Sequence, residues 1–158
     1  MSAQDGAGQQ AGDEHLRFAR YQQELAQVRE EDEQGLVAAV LREPDAVMAQ
    51  SAVAGHLDRR AAGLLADARF PGWARGMAPV IAGREFLAGR LREWILLRSV
   101  TMGDAWAAED LAAASDWLQR KAAETVTSPA VLALLASRGR TRRVRGTASR
   151  RITRPEAP

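Results

Sequence analysis

The sequence predicts an all-α protein: a compact bundle of five to six helices around a central apolar helix, with a disordered N-terminal tail and a basic C-terminal helix or tail. Three observations predict this. No stretch alternates apolar and polar residues with period two over more than a few positions, so no sheet is expected. Apolar residues recur instead at helical spacing, in successive segments punctuated by Pro, Gly and Asp. The longest such segment, Phe86 to Val100, carries large side chains on nearly every side. Leu87, Leu91, Trp94 and Ile95 form one stripe, and Phe86, Leu97 and Val100 form a second beside it. A helix of that kind must be covered from several directions, which places it at the centre of the bundle.

The elements follow in order. Met1 to Gly12 is rich in Gly, Gln and Ala without periodicity, and is expected to be disordered. Asp13 to Arg29 reads as a first helix, with a narrow stripe of Phe18, Tyr21, Leu25 and Val28. The acidic run Glu30-Glu31-Asp32-Glu33 starts a second, whose apolar face is Leu36, Val37, Val40 and Leu41 and which Pro44 ends. Asp45 is placed to cap a third, from Ala46 to about Ala66. Pro71 marks the first turn of a fourth. Pro79 is expected to kink it near Arg75–Met77 before it continues into the central helix, and Gly103 closes the latter. Ala107 to Val126 reads as a fifth helix, and Ala130 to Arg138, capped by Thr127 or Ser128 before Pro129 and ended by Gly139, as a sixth. The domain organisation is therefore a tail over 1–12, a helical domain over 13–138 and an Arg-rich element over 139–158.

Composition bounds the chemistry. The 158 residues include no cysteine, which excludes disulfides, cysteine-ligated metal and thiol catalysis. His15 and His56 are the only histidines. Net charge is +2 with a sequence pI near 9.9, and Lys121 is the sole lysine among 22 basic residues. The first residues lack an apolar signal-peptide core, and no apolar run approaches the roughly 20 residues that span a bilayer, so a cytoplasmic location without membrane contact is expected. No phosphate-cradling glycine loop, HExxH, nucleophile elbow or paired-carboxylate motif occurs. His56 stands alone on what reads as a polar helix face. No catalysis, cofactor or metal is expected.

The location of the charge is more informative than its total. Arg140, Arg142, Arg143, Arg145, Arg150, Arg151 and Arg154 are interleaved with small residues, and no acid follows until Glu156. Arginines on a small-residue backbone approach phosphates closely and release counterions, so these seven are the candidate nucleic-acid contacts. The absence of interleaved aromatics argues against base stacking. Val144, Ala148 and Ile152, spaced by four, are consistent with a helix bearing a thin apolar seam. A disordered basic tail is the other reading, as is a solvated face pairing with Glu30 to Glu33. Arg84 and Arg98 intrude on apolar stripes and call for acidic partners, for which Asp58, Asp110 and Asp116 are the candidates. Trp106, at a loop–helix junction, is the candidate contact for another protein.

Ser51-Ala52-Val53-Ala54-Gly55-His56-Leu57 resembles part of a winged-helix recognition helix. The resemblance spans seven residues and implies DNA contact from that face. The preceding Glu43-Pro44-Asp45 turn, and a helix that begins well before Ser51, depart from the pattern, so the stretch is read as an amphipathic bundle helix. The functional expectation is a non-catalytic accessory protein contacting nucleic acid through the Arg-rich element with low sequence specificity. The alternative is a protein-interaction or oligomerisation module.

Overall fold

The computed structural model describes residues 3–154. Among the described residues there are nine α-helices, one 3-10 turn and no strand. The helices are α1 (Ala3–Gln27), α2 (Glu33–Val40), α3 (Ala46–Leu64), α4 (Phe70–Val80), α5 (Glu85–Met102), α6 (Ala108–Ala113), α7 (Asp116–Thr125), α8 (Pro129–Arg138) and α9 (Arg142–Thr153). The 3-10 turn, Glu30–Asp32, precedes α2. The all-α class is therefore as expected, with more and shorter helices than five or six. The chain divides into two compact units, Met1–Arg90 and Leu91–Pro158, and the division falls inside α5. No helix among the described residues is long and apolar enough to cross a membrane.

In the first unit α1 packs on α2 and α3, and α2 also packs on α3 and α4. Leu25, Val37, Val53, Leu57, Phe70 and Met77 lie in the core. The Asp45 carboxylate accepts from the Met48 amide at 3.0 Å and opens α3 as expected. The narrow stripe of α1 is fixed by polar contacts as well as by Leu25. The Glu43 carboxylate, just past α2, accepts from Arg17 at 2.8 Å and from the Tyr21 hydroxyl. That hydrogen bond to Glu43 raises the Tyr21 pKa, reinforced by burial and by the carboxylate's charge.

Two expectations change here. The stretch expected to be disordered over 1–12 is helical from Ala3, while residues 1–2 lie outside the described residues. Ala and Gln favour propagation of a nucleated helix, against a cost of about 1 kcal/mol at each of Gly6, Gly8 and Gly12. The kink expected near Arg75–Met77, with continuation into the central helix, is replaced by a stop. Pro79 sits in the last turn of α4, and Gly83, at φ 80°, sets a tight turn before α5 restarts at Glu85. A proline so close to a helix end removes one hydrogen bond, and the left-handed glycine turns the chain.

In the second unit α6 packs on α8, and α7, α8 and α9 pack on one another. Leu91, Trp94, Leu97 and Val100 of α5 are buried on one arc. Two of its large apolar residues stay open: Ile95 is 43% exposed, and Phe86, in the first unit, is 56% exposed. Gly103, at φ 76°, ends α5, and the Asp104 amide returns to the Ser99 carbonyl at 3.0 Å. The expected single helix over 107–126 is broken at Ala114–Ser115. Ser115 Oγ accepts from the Leu118 amide at 3.3 Å, starting α7. The buried Gln119 amide donates to the Leu111 and Ala112 carbonyls at 2.9 and 3.0 Å, satisfying the open end of α6. Trp94 and Trp117 meet edge to face at 5.3 Å, with the Lys121 ammonium 5.3 and 5.8 Å from their ring centroids.

Gly139, between α8 and α9, is set by space. A Cβ there would lie 2.5 Å from the Leu135 carbonyl oxygen and 2.7 Å from a Val144 methyl. Glycine allows α9 to turn back directly onto α8.

Candidate functional site

The Arg-rich element is an ordered helix with two kinds of arginine. Thr141 caps α9, its hydroxyl accepting from the Val144 amide at 3.2 Å. Val144 and Ala148 of the apolar seam are buried, whereas Ile152 is exposed. Three of the seven candidate arginines donate to backbone carbonyls of their own unit. Arg140 Nη1 reaches the Ala114 carbonyl at 3.1 Å, while its amide donates to Gln119 Oε1 at 2.8 Å. Arg145 reaches the Gly139 carbonyl at 2.6 Å. Arg151 spans the end of α7, donating to the carbonyls of Ala123 at 2.9 Å and Val126 at 2.7 Å. A cation at that position satisfies carbonyls that have no helical partner and opposes the negative end of the helix dipole.

The other four are arranged differently. Arg142, Arg143, Arg150 and Arg154 are all exposed. Arg150 donates only to the neighbouring Thr147 hydroxyl, at 3.2 Å. The side chains of the other three have no partner among the described residues. At about 100° per residue the four fall within an arc of about 120°. Gly146 and Thr153 share that arc, and no acid does. Divided at Arg90–Leu91, the sequence carries ten basic and thirteen acidic residues in the first unit, net −3, and twelve against seven in the second, net +5. Within the first unit, Glu30 pairs with Arg69, Glu31 with Arg29, and Glu33 with His56 and Arg60.

Trp106 is half-buried in the 103–107 loop and borders a groove of 470 Å³ with Ile95, Leu96 and Asp110. Ile95, together with Met102 at 45% exposure, leaves an apolar strip open on this unit.

The most elaborate polar cluster lies in the first unit and was not anticipated. Glu33 is 2% exposed and His56 1%. Glu33 Oε1 accepts from His56 Nε2 at 2.7 Å, from Arg60 Nε at 3.0 Å and from the Trp73 indole N–H at 3.1 Å, and Oε2 accepts from Arg60 Nη2 at 3.1 Å. Burial alone raises the Glu33 pKa, but the hydrogen bonds from His56, Arg60 and Trp73, with the charge of Arg60, outweigh it and hold the carboxyl at about 2. His56 is thus not on a polar face, because α1 and α2 both pack over α3. A signal for the cluster was present: Glu33, Val37 and Val40 are spaced four and three apart, which puts the acid on the apolar face of α2.

Other expectations resolve plainly. The Ser51–Leu57 stretch lies mid-helix in α3 with Ala52, Val53, Ala54, His56 and Leu57 buried, so it offers no recognition face, and no strand exists among the described residues to form a wing. Arg84 donates to the Leu41 carbonyl at 3.2 Å rather than to an acid. Asp58 lies 3.7 Å from Arg90, and Asp116 pairs with Arg120 at 3.0 Å. No group of three or more His, Cys, Asp or Glu among the described residues is arranged to hold a metal. No family model, curated protein or solved structure matches the chain.

Proposed function

We propose that the chain is a non-catalytic helical accessory protein that contacts nucleic acid through the outward arginine face of α9, with low sequence specificity. The observation that carries this reading is the grouping of Arg142, Arg143, Arg150 and Arg154 on one acid-free, small-residue face of an ordered helix. Such a face presents guanidinium groups to a phosphate backbone, and phosphate contacts carry no sequence information directly. The net +5 of the second unit supports it by attracting a polyanion from a distance. Arg140, Arg145 and Arg151 serve the fold in this reading, and contribute to binding only through their charge.

The test is a titration of the full chain with duplex DNA and with RNA at two salt concentrations. The comparison protein has Arg142, Arg143, Arg150 and Arg154 all changed to Gln. Truncation is unsuitable, because removing α9 would strip Val144 and Ala148 from the core. Four phosphate contacts predict a log–log salt slope of about −3.6 for duplex DNA. Binding by the quadruple variant equal to that of the parent rejects the proposal.

The second reading is a protein-interaction module. The open strip of Ile95, Met102 and half-buried Trp106 favours it. In that case, with no nucleic-acid role, Trp106→Ala would remove association.

A further inference from the structure

A groove of 520 Å³ opens beside the Glu33 cluster in the first unit. Arg59, Arg60 and Leu64 of α3 line it together with Leu25 of α1 and the following Val28, and at its edge Arg69 is paired with Glu30. Arg60 is held in a fixed pose. Its Nε and Nη2 pair side-on with the two Glu33 oxygens, and His56 and Trp73 fix that carboxylate from behind. A guanidinium has five N–H donors in a planar fork. Side-on pairing uses one hydrogen on Nε and one on Nη2, and leaves the Nη1–Nη2 edge with its parallel donors unspent. Arg60 keeps 28% of its side chain exposed. Arg59 is exposed and makes no ion pair or hydrogen bond among the described residues. Gly63 borders the same groove, with open space where a Cβ would stand and without a positive φ, so neither packing nor backbone conformation requires glycine there.

We propose that this groove binds a small amphiphilic anion: one carboxylate or phosphoryl group on the free edge of Arg60 and on Arg59, with a compact apolar body against half-buried Val28 and the groove-facing edges of the core residues Leu25 and Leu64. The paired oxygens of such a group match the spacing of the two guanidinium donors. The volume falls in the range of small-molecule sites, about 300–1,000 Å³, which leaves room for more than the anionic group. In this reading the Glu33 cluster positions Arg60, and Arg60 with Arg59 makes the contact. The site is independent of α9, so its failure and the failure of the nucleic-acid reading are separate results.

The experiment is an NMR titration of the full chain, reading backbone amides, arginine Nε–H and the indole N–H groups. The probes are benzoate, phenyl phosphate and inorganic phosphate, with benzyl alcohol as the uncharged control. Saturable shifts at Arg59, Arg60, Gly63 and the Trp73 indole are expected with benzoate or phenyl phosphate. Binding of whichever is tighter should be stronger than that of inorganic phosphate, and benzyl alcohol should produce none of these shifts. The tighter of the two organic anions identifies the headgroup. Arg59→Gln should weaken binding about tenfold, the loss of one charge-assisted hydrogen bond. Gly63→Leu, which fills open space, should abolish binding while leaving the far-UV spectrum unchanged. Shifts that never saturate, that appear only in α9, or that survive both substitutions overturn the proposal.

Discussion

Glu33→Gln should destabilise the first unit by about 3 kcal/mol, a size that follows from the protonation of the carboxyl. The group is held at about 2 in the folded protein against an ordinary value of 4.5. Each unit of difference is about 1.4 kcal/mol, so the ionised form contributes about 3 kcal/mol over the protonated one. The sign is that of a depressed acid: the contribution is complete above pH 4.5 and is lost as pH falls from there towards 2. Glutamine keeps one acceptor oxygen but turns an N–H₂ towards donors, and leaves the Arg60 cation without its counter-charge. Urea unfolding followed by circular dichroism at pH 7 measures the loss. Hydrogen exchange of α2 and α3 amides assigns it to the right unit, because two units need not unfold together. Repeating the pair of proteins at pH 2.5 supplies the internal check, since about 2.5 kcal/mol of the difference should vanish there. A difference below about 1 kcal/mol at pH 7, or one that persists unchanged at pH 2.5, would refute the reasoning, because a group worth that little cannot be the ionised centre of the cluster.

Other outcomes are open to direct measurement. Gly139→Ala should lower the stability of the second unit by about 1–3 kcal/mol, seen as a reduced unfolding midpoint, because its methyl would press on the Leu135 carbonyl and Val144. Gly35→Ala should do the reverse, adding up to about 1 kcal/mol, since the Cβ meets open space on α2. Arg151→Gln should cost about 1–2 kcal/mol in the same assay by uncovering the Ala123 and Val126 carbonyls, whereas Arg143→Gln should leave the midpoint unchanged and reduce duplex affinity.

The helical class was legible because period-3.6 patterns recur along the chain, and the Asp45, Gly103 and Ser128–Pro129 signals stand where helices begin or end. The break at Ala114–Ser115 was not, because the end of α6 is satisfied by Gln119 reaching back to Leu111 and Ala112 across the break, and the flanking alanines favour continuation. The basic face was legible as composition. Its division into carbonyl-bound and outward arginines was not, because it depends on where the end of α7 lies in space. The Glu33 cluster joins residues 23 to 40 positions apart, and an acidic run at a helix start is ordinarily solvated. Only the 33–37–40 spacing hinted that one of its members turns inward. Phe86 and Ile95 show the converse: an apolar wheel states what would gain from burial, not whether a neighbour arrives to bury it.

The anchoring of α9 by Arg151 gives its outward side the character of a ruler rather than a brush. Val144 and Ala148 seat the helix, Arg151 ties its far half to the end of α7, and the stems of Arg143, Arg150 and Arg154 leave the axis at fixed intervals of about 10 and 6 Å. A polymer laid along it would meet charges already in register, without first ordering a floppy chain. The outward positions can therefore be recoded one at a time, altering reach or polarity, while the seated side continues to hold the helix in place.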